Sequence, residues 1–238
     1  MTFENPPREI LTLKNLALWR DETLLCESIN LTIAHKEKVA VIGHNGSGKT
    51  TLLETIAGLC PIKRGEIRLF GETTIDVKQI GYLLQESDDH FLAPIAEDDI
   101  AFSILARGGD RKYAAEKTAE ILSTLDIEHL AKKVVYHLSG GEKKLVALAG
   151  VLAADPKLLL LDEPTTALDY DAQLRVANIL QKLDIGMAIV SHDREFLESI
   201  AHRFYALTPQ TLKRIDDYEA FITHSHDGMP PHIHSRAK

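Results

Sequence analysis

Alternating apolar and polar residues near the start of the chain indicate β-strands. Residues 10–18 (ILTLKNLAL) and 28–33 (SINLTI) alternate in this way, and 38–42 (KVAVI) is a short apolar run that ends before a glycine. Residues 65–71 (GEIRLFG) show a further strand pattern between two glycines that suit turns. The first part of the chain is therefore predicted to contain several strands.

Helical periodicity dominates the middle of the chain. Residues 49–58 (KTTLLETIAG) carry apolar positions three and four apart and stop at a glycine. The same spacing recurs at 96–105, 113–125 and 142–154, with few strand signals between these segments. We therefore predict a helix directly after 38–42 and an all-helical insert further along.

Strand patterns return in the last third of the chain. Residues 157–161 (KLLLL) and 187–190 (MAIV) are apolar runs, and a helix pattern at about 171–183 lies between them. This strand–helix–strand alternation is typical of a parallel sheet. We therefore predict an α/β core that the helical insert divides in sequence.

Composition restricts the class of protein. The 238 residues, 45% of them hydrophobic, fit one large domain, and the net charge of −8 gives no general attraction to nucleic acid. The basic pairs at 132–133 and 143–144 are interpreted as a solvated face, so no nucleic-acid partner is expected. The N-terminus MTFENPPREI lacks the features of a secretion signal, which favours a cytoplasmic protein. Cys26 and Cys60 lie far apart among apolar residues and are predicted to be buried, reduced thiols.

Residues 43–50 (GHNGSGKT) match the phosphate-binding pattern G-x-x-x-x-G-K-[ST] at every fixed position. The glycines let backbone N–H groups turn toward phosphate, and the N-terminus of the following helix adds partial positive charge. Lys49 is predicted to reach the β- and γ-phosphates, and Thr50 to offer its hydroxyl to Mg²⁺. The predicted ATP-binding residues of this segment are Gly43, His44, Asn45, Gly46, Ser47, Gly48, Lys49, Thr50 and Thr51.

Two acids end the apolar run LLLLDEP at 158–164. In P-loop NTPases an aspartate at this place holds Mg²⁺, so Asp162 is the predicted metal-side residue. Glu163 beside it is placed to polarise the attacking water and is a predicted catalytic residue. The alternative, a pair of surface acids closing a strand, does not explain the apolar run before them.

A second phosphate cradle is indicated by LSGGE at 138–142, directly before a predicted helix. Ser139 can offer a hydroxyl there, and the amides of Gly140 and Gly141 lie at the helix start. One chain therefore carries two candidate phosphate cradles.

These motifs, in this order, resemble the nucleotide-binding subunits of ABC transporters over nearly the whole chain. Further residues match that family: Trp19 as the aromatic that stacks on adenine, Gln85 as the Q-loop glutamine, Asp169 in the D-loop and His192 as the switch histidine. Taken alone, Trp19 would be read as a packing residue and His192 as a structural one. The resemblance implies that Gln85 contributes to the Mg²⁺ site and His192 to catalysis.

The resemblance also implies a fold and a partner. The fold is an α/β P-loop NTPase core with a mostly parallel sheet, an N-terminal antiparallel β portion and an inserted α-helical subdomain. The ABC ATPase domain would span 1–223, with its core at 1–84 and 156–215 and its helical subdomain at about 85–155. A second ATPase subunit, expected to be an identical copy, would pair head to tail with this one. Residues Ser139, Gly140, Gly141, Glu142 and Asp169 would then bind, in trans, the ATP held by the partner.

Residues 85–102 (QESDDHFLAPIAEDDIAF) look like the corresponding segment of energy-coupling-factor importers, especially the cobalt and nickel type. In that group the segment docks a membrane subunit. The residues that are candidates for transmitting movement to this subunit are Asp88, Asp89, Phe91 and Pro94. The resemblance implies integral membrane partners and a peripheral position at the cytoplasmic face of the cell membrane. Another cargo, such as a vitamin, stays open, and a soluble ABC protein that takes no part in transport is a weaker alternative.

The C-terminal segment 224–238 is rich in histidine and is predicted to be a flexible tail. Its H-x-H pairs could chelate a transition metal, because imidazole suits nickel, cobalt, copper and zinc alike. The candidate ligands are His224, His226, His232 and His234. The alternatives are a solvated end with no ordered site, and a metal-binding module whose tail is its main function.

Three positions depart from the family pattern. His44 stands where proline is common, Leu145 where arginine is common, and Glu142 where glutamine is more usual. His44 leaves the glycine and lysine frame intact, whereas Leu145 removes a polar side chain from the signature helix, the helix that follows the family's LSGGE signature segment. Glu142 would bring a carboxylate near the γ-phosphate and is expected to slow the closing of the two subunits over ATP.

Overall fold

The structure is a computed structural model that describes residues 9–86 and 90–215, together with the backbone of 223–224 and 232–233. The strands are β1 (Glu9–Arg20), β2 (Thr23–Ala34), β3 (Lys38–Ile42), β4 (Glu66–Leu69), β5 (Ile80–Leu83), β6 (Leu158–Asp162), β7 (Gly186–Val190), β8 (Arg203–Leu207), β9 (Leu212–Ile215), β10 (Thr223–His224) and β11 (His232–Ile233). The helices are α1 (Lys49–Ile56), α2 (Ala96–Leu105), α3 (Arg111–Thr124), α4 (Gly140–Ala153), α5 (Tyr170–Lys182) and α6 (Arg194–Ile200).

The core of the fold is a six-stranded sheet with the order β5-β6-β7-β3-β8-β9. Its strands run parallel except for β9, which pairs antiparallel with β8. An antiparallel sheet of β2, β1 and β4 forms a separate layer. The predicted fold class, with a mostly parallel core and an N-terminal antiparallel portion, is confirmed.

The apolar run of β6 explains why this strand lies inside the sheet. Leu158 and Leu160 pack toward the antiparallel sheet and α1, whereas Leu159 and Leu161 pack toward the helices on the other face. All of these side chains are fully buried. A strand buried on both faces needs a continuous apolar sequence, which is what the run supplies.

The predicted helical insert is confirmed: in the described residues between β5 and β6, α2, α3 and α4 follow one another, and α2 packs against both others. The carboxylate of Asp110 caps the N-terminus of α3 by accepting a hydrogen bond from Tyr113 N. Within the residues that the structure describes, no helix combines the length and the apolar character needed to cross a bilayer. The subdomain boundaries at 84, 155 and 215 stay predictions.

Several elements differ from the sequence-based expectation. β1 and β2 are longer than the segments 10–18 and 28–33, because their pairing continues to Arg20 and Thr23. The pattern did not predict α6, β8 or β9, which are short. Cys26 is buried as predicted, whereas Cys60 is only half-buried, and both are free thiols.

The glycine that precedes β4 gives a test of the packing between β1 and β4. Gly65 and Gly71 both have left-handed φ angles, of 96° and 88°. A Cβ atom on Gly65 would collide with the backbone of Asn15 and Leu16, whereas one on Gly71 would meet no atom within 4 Å. We expect Gly65→Ala to lower the free energy of unfolding by about 3 kcal/mol and Gly71→Ala by about 1 kcal/mol. Urea unfolding of both variants measures the difference, and equal losses would contradict the close contact.

Candidate functional site

One group of the residues selected by sequence converges at the carboxyl ends of β3, β5, β6 and β7, which are neighbours in the sheet. Ligands bind at this edge in open α/β sheets, because the loops that follow parallel strands meet there. A cleft of about 500 Å³ opens at this edge. It is lined by Arg20, Leu25, Asn45, Gly46, Gly48, Lys49, Thr50, Thr51, Gln85, Asp162, Glu163, Val190 and His192.

The loop between β3 and α1 is shaped for an anion. Gly46 and Gly48 have left-handed φ angles of 78° and 97°, and Gly48 caps α1 without a side-chain hydrogen bond. The first N–H groups of α1 therefore have no side-chain acceptor and are available to a phosphate. A Cβ atom on Gly48 would lie 2.9 Å from Leu18 and 3.0 Å from Leu25, so the loop packs closely on β1 and β2.

Lys49 is folded against this loop. Its ammonium donates hydrogen bonds to the carbonyl oxygens of Gly43 at 2.8 Å and His44 at 3.0 Å. Burial lowers the pKa of Lys49, and the negative charges of Glu163 and Asp162 oppose that shift. The buried cation thus has neutral acceptors as its hydrogen-bond partners, which a phosphate oxygen could replace with a stronger bond.

Asp162 has the features of a cation ligand. It is 1% exposed, and its Oδ2 atom has no hydrogen-bond partner. Burial raises the pKa of Asp162, whereas a hydrogen bond with the Thr50 side chain acts in the opposite direction. Gln85 lines the same cleft. A carboxylate, a hydroxyl and an amide oxygen are hard oxygen donors, so the residues present fit Mg²⁺.

Glu163 is held with one oxygen bound and one free of hydrogen bonds. Its Oε2 accepts hydrogen bonds from Ser191 Oγ and from His192 N, each at 3.2 Å. Its Oε1 is buried without a hydrogen-bond partner, and His192 Nε2 lies 3.6 Å away. The residue has a left-handed φ of 50°, a sparsely populated conformation that other functional sites share. This arrangement leaves Oε1 with unused acceptor capacity beside the His192 ring.

Trp19 does not line the cleft; Arg20 and Leu25 do. The Lys63 ammonium lies 4.9 Å from the centre of the Trp19 ring, in a cation–π contact. Lys63 also donates a hydrogen bond to Asp21 O at 2.6 Å and lies 3.3 Å from Glu22. The sequence could not show this contact, and adenine stacking by Trp19 stays a prediction.

The LSGGE segment forms a second cradle at the N-terminus of α4. Ser139 and Glu142 form a capping box, in which Glu142 N donates to Ser139 Oγ at 3.3 Å and Ser139 N donates to Glu142 Oε2 at 2.8 Å. Lys133 Nζ donates to Glu142 Oε1 at 2.8 Å. The hydrogen bonds from Lys133 and Ser139 lower the pKa of Glu142 to about 2. The carboxylate is thus turned back onto its own helix and paired with a lysine.

The D-loop packs directly against this cradle. Asp169 caps α5 by accepting a hydrogen bond from Ala172 N at 2.8 Å. A Cβ atom on Gly141 would lie 2.8 Å from the carbonyl oxygen of Ala167, so only glycine allows this approach. Ser139, Gly140, Gly141, Glu142 and Asp169 together line a second cleft of about 400 Å³, with Leu145 on its wall.

The two clefts have no lining residue in common. The first cleft therefore brings together residues that are predicted to act on the ATP of the same subunit: Asn45, Gly46, Gly48, Lys49, Thr50, Thr51, Gln85, Asp162, Glu163 and His192. The second cleft brings together the residues that are predicted to act on the ATP of the partner. Gly43, His44 and Ser47 shape the loop without lining the cleft.

Comparisons with known proteins identify the family of this chain. A family model described as ABC transporter matches residues 26–166. The chain belongs to the ABC transporter ATP-binding proteins. It is therefore an ATPase.

Two relatives are informative. A protein of Brucella suis biovar 1 that is named as an ABC transporter ATP-binding protein is 44% identical over 84% of this chain and 86% of its own length. The energy-coupling factor transporter ATP-binding protein EcfA of Methanoculleus marisnigri is 36% identical over 80% of this chain and 72% of its own length. The predicted resemblance to the energy-coupling-factor group is confirmed.

Two solved structures share the fold. cbiO1 of Clostridium perfringens, part of the ABC transporter complex cbiONQ, aligns with a TM-score of 0.75 and 27% identity, covering 86% of this chain and 87% of its own. The cassette MJ0796, a dimer in a post-hydrolysis state bound to ADP and Pi, aligns with a TM-score of 0.77 and 26% identity, covering 86% and 97%.

Other predicted residues lie away from the clefts or outside the described residues. Phe91 is buried and Pro94 is exposed, whereas Asp88 and Asp89 lie outside the described residues. Of the tail histidines, His224 and His232 pair in the backbone register of β10 and β11. His226 and His234 lie outside the described residues. Within the part of the chain that the structure describes, no three His, Cys, Asp or Glu residues form a group that could hold a metal ion.

Sequence reasoning missed Ser191, which holds Glu163, and Arg20, which lines the cleft. Ser191 precedes His192 in VSHD, so its place directly after a strand was a usable signal. The cap contact and lysine partner of Glu142 were not foreseen either, although S-x-x-E is a capping-box signature.

The low pKa of Glu142 predicts a pH-dependent contribution to stability. A carboxyl whose pKa is lowered on folding stabilises the fold above its unfolded pKa of about 4.3, and loses that effect as the pH falls toward 2. We expect Glu142→Gln to be less stable than wild type at pH 7, with the difference shrinking between about pH 4.3 and pH 2. Urea unfolding across this range measures it. Glu116→Gln, at an exposed site on α3, is the control, and a difference for Glu142→Gln that does not change with pH would contradict the assignment.

Proposed function

We propose that this chain is the ATP-hydrolysing subunit of a membrane importer that takes up nickel or cobalt ions. It acts as a head-to-tail homodimer, at the cytoplasmic face of the cell membrane and in contact with integral membrane subunits. The observation that carries the proposal is the separation of the two phosphate cradles into clefts with no common residue. A second copy is needed to bring a signature cradle onto the nucleotide in the first cleft.

The first cleft supplies the nucleotide and metal side of the reaction. Lys49 exchanges the carbonyl oxygens of Gly43 and His44 for phosphate oxygens, and the N-terminus of α1 donates to the same phosphates. Thr50, Asp162 and Gln85 would hold Mg²⁺, which would supply neutralisation of phosphate charge when bound. Glu163 orients the attacking water through its free Oε1, and His192 stands beside that oxygen.

The second cleft closes over the nucleotide that the partner subunit holds. The N-terminus of α4, with Ser139 at its cap, brings partial positive charge and a hydroxyl to the γ-phosphate bound by the partner. The pairing of Glu142 with Lys133 offsets the repulsion that its carboxylate would otherwise exert on that phosphate. The expectation that Glu142 slows closure is therefore replaced by a proposal that it orders the cradle. Because closure needs ATP, hydrolysis converts a chemical change into a two-state movement.

The cargo rests on a different set of observations. Residues 85–102 resemble the cobalt and nickel group, and the similar proteins include EcfA and cbiO1, the latter part of the complex cbiONQ. Residues Asp88, Asp89, Phe91 and Pro94 would transmit movement to the membrane subunits. The tail histidines add metal-binding chemistry without selecting one metal. The alternative cargo is a vitamin or another small molecule.

Complementary defects test the composite site. Lys49→Ala removes the P-loop cation, and Ser139→Ala removes the signature hydroxyl, so each homodimer is expected to be inactive. Mixed in equal amounts, the two variants should recover about a quarter of the wild-type ATPase rate, because half of the dimers are mixed and each has one intact site.

The control for Ser139 is Asp110→Ala, which removes the cap of α3 and costs about 1 kcal/mol of stability but leaves the signature intact. This variant should hydrolyse ATP normally. Mixtures that show no recovery, although dimers form in the presence of ATP, would contradict a site shared between subunits.

Metal uptake tests the cargo. Cells that carry this chain with its neighbouring membrane subunits should accumulate Ni²⁺ or Co²⁺. The Glu163→Gln variant should bind ATP with near-normal affinity but lose at least about a hundredfold in kcat, and uptake should stop. If neither ion accumulates while the purified wild type hydrolyses ATP, the metal assignment is wrong and the ATPase assignment stands.

A further inference from the structure

Lys144 is a buried lysine outside both clefts. It lies in α4, close to the signature residues, and is only 2% exposed. Its ammonium donates hydrogen bonds to the carbonyl oxygens of Gln85 at 2.6 Å and Leu84 at 3.2 Å. The signature helix is therefore tied to the segment that carries Gln85 into the cleft.

The same segment is held from another direction. Leu84 N donates a hydrogen bond to His90 Nε2 at 2.7 Å. The backbone of Leu84 and Gln85 is thus fixed by a side chain of α4 and by a side chain that follows the Q-loop. Gln85 itself lines the cleft that contains Asp162.

Packing alone does not account for a lysine at this position. Burial lowers the pKa of Lys144, and the charges of Asp162, Glu86 and Glu163 oppose the shift. A methionine has a side chain of similar length and would fill the space without the cost of desolvating a charge. What methionine cannot do is donate to the two carbonyl oxygens.

We propose that Lys144 is a positioning residue that ties the metal side of the cleft to the signature helix through the backbone of Gln85. This inference rests on the proposed role of Gln85 at the Mg²⁺ site. When α4 moves to place its N-terminus on the partner's nucleotide, Lys144 moves the Q-loop with it. Each subunit then aligns its own metal ligand as it closes the neighbouring site.

A double-mutant cycle tests the inference on the full-length dimer. Lys144→Met, Gln85→Ala and the double variant are compared for kcat, half-saturating Mg²⁺, KM for ATP and melting temperature. Lys144→Met should lower kcat about tenfold and raise the half-saturating Mg²⁺, with the KM for ATP changed less than about twofold. In the Gln85→Ala background the Lys144→Met effect should fall below about twofold, because both changes act through the same group.

Two further lysine variants separate positioning from general effects. Lys144→Arg keeps the charge and the donors and should recover part of the lost kcat. Lys157→Met makes the same change at an exposed lysine beside the opposite end of β6 and should behave as wild type. If Lys144→Met is too unstable to assay, Lys144→Gln, whose amide keeps a donor, takes its place in the cycle.

Several outcomes overturn the inference. One is an unchanged kcat in Lys144→Met, and another is an equal loss in the wild-type and Gln85→Ala backgrounds. A fall in half-saturating Mg²⁺ also overturns it, since that is the effect of removing a positive charge that acts directly on the cation site. Wild-type kinetics in Gln85→Ala overturn the role of Gln85 and the inference together, whereas the mixing of Lys49→Ala with Ser139→Ala tests the composite site independently.

Discussion

The parallel register of β6 between β5 and β7 is the constraint on which the cleft depends. It pairs Asp162 with Val190, and Glu163 N donates a hydrogen bond to Val190 O at 2.8 Å. The apolar run before Asp162 lets β6 lie buried on both faces between its neighbours, and the two acids come where this run ends. Since neighbouring parallel strands end at one edge, Gln85 after β5 and His192 after β7 meet the acids there.

The cleft concentrates buried charges whose partners within the chain are incomplete. Asp162 Oδ2 and Glu163 Oε1 have no hydrogen-bond partner, and Lys49 is bonded to neutral carbonyl oxygens. Burial raises the pKa of Asp162 and lowers the pKa of Lys49. The charge of each residue opposes the shift of the other, because opposite charges stabilise each other's ionised form. A nucleotide with its cation would satisfy Lys49 and Asp162 at once and would stabilise the folded state by binding to it alone.

Sequence reasoning predicted the parts of the fold that depend on local pattern. The apolar runs of β3, β6 and β7 and the glycine frame of the loop before α1 were visible because period and spacing are local properties. It missed β8 and β9, whose places in the sheet come from pairing with β3 and with each other. It also missed the ammonium of Lys63 over Trp19 and the contact of Lys144 with the Q-loop, since both join residues more than forty positions apart.

The proposed role of Lys144 would make α4 couple the two clefts, because the N-terminus of this rigid helix lines one cleft and its Lys144 bonds the segment that enters the other. Its N-terminus lies in the second cleft, and Lys144 reaches toward the first about 6 Å further along the helix axis. A movement that brings Ser139 onto a phosphate therefore cannot leave the backbone of Gln85 in place unless the hydrogen bonds of Lys144 break. A ligand can shift the equilibrium between two positions of α4 only by its difference in affinity for those positions. In the proposed mechanism the γ-phosphate would provide that difference, because it is the group that the N-terminus of α4 would contact on the partner subunit and that hydrolysis removes.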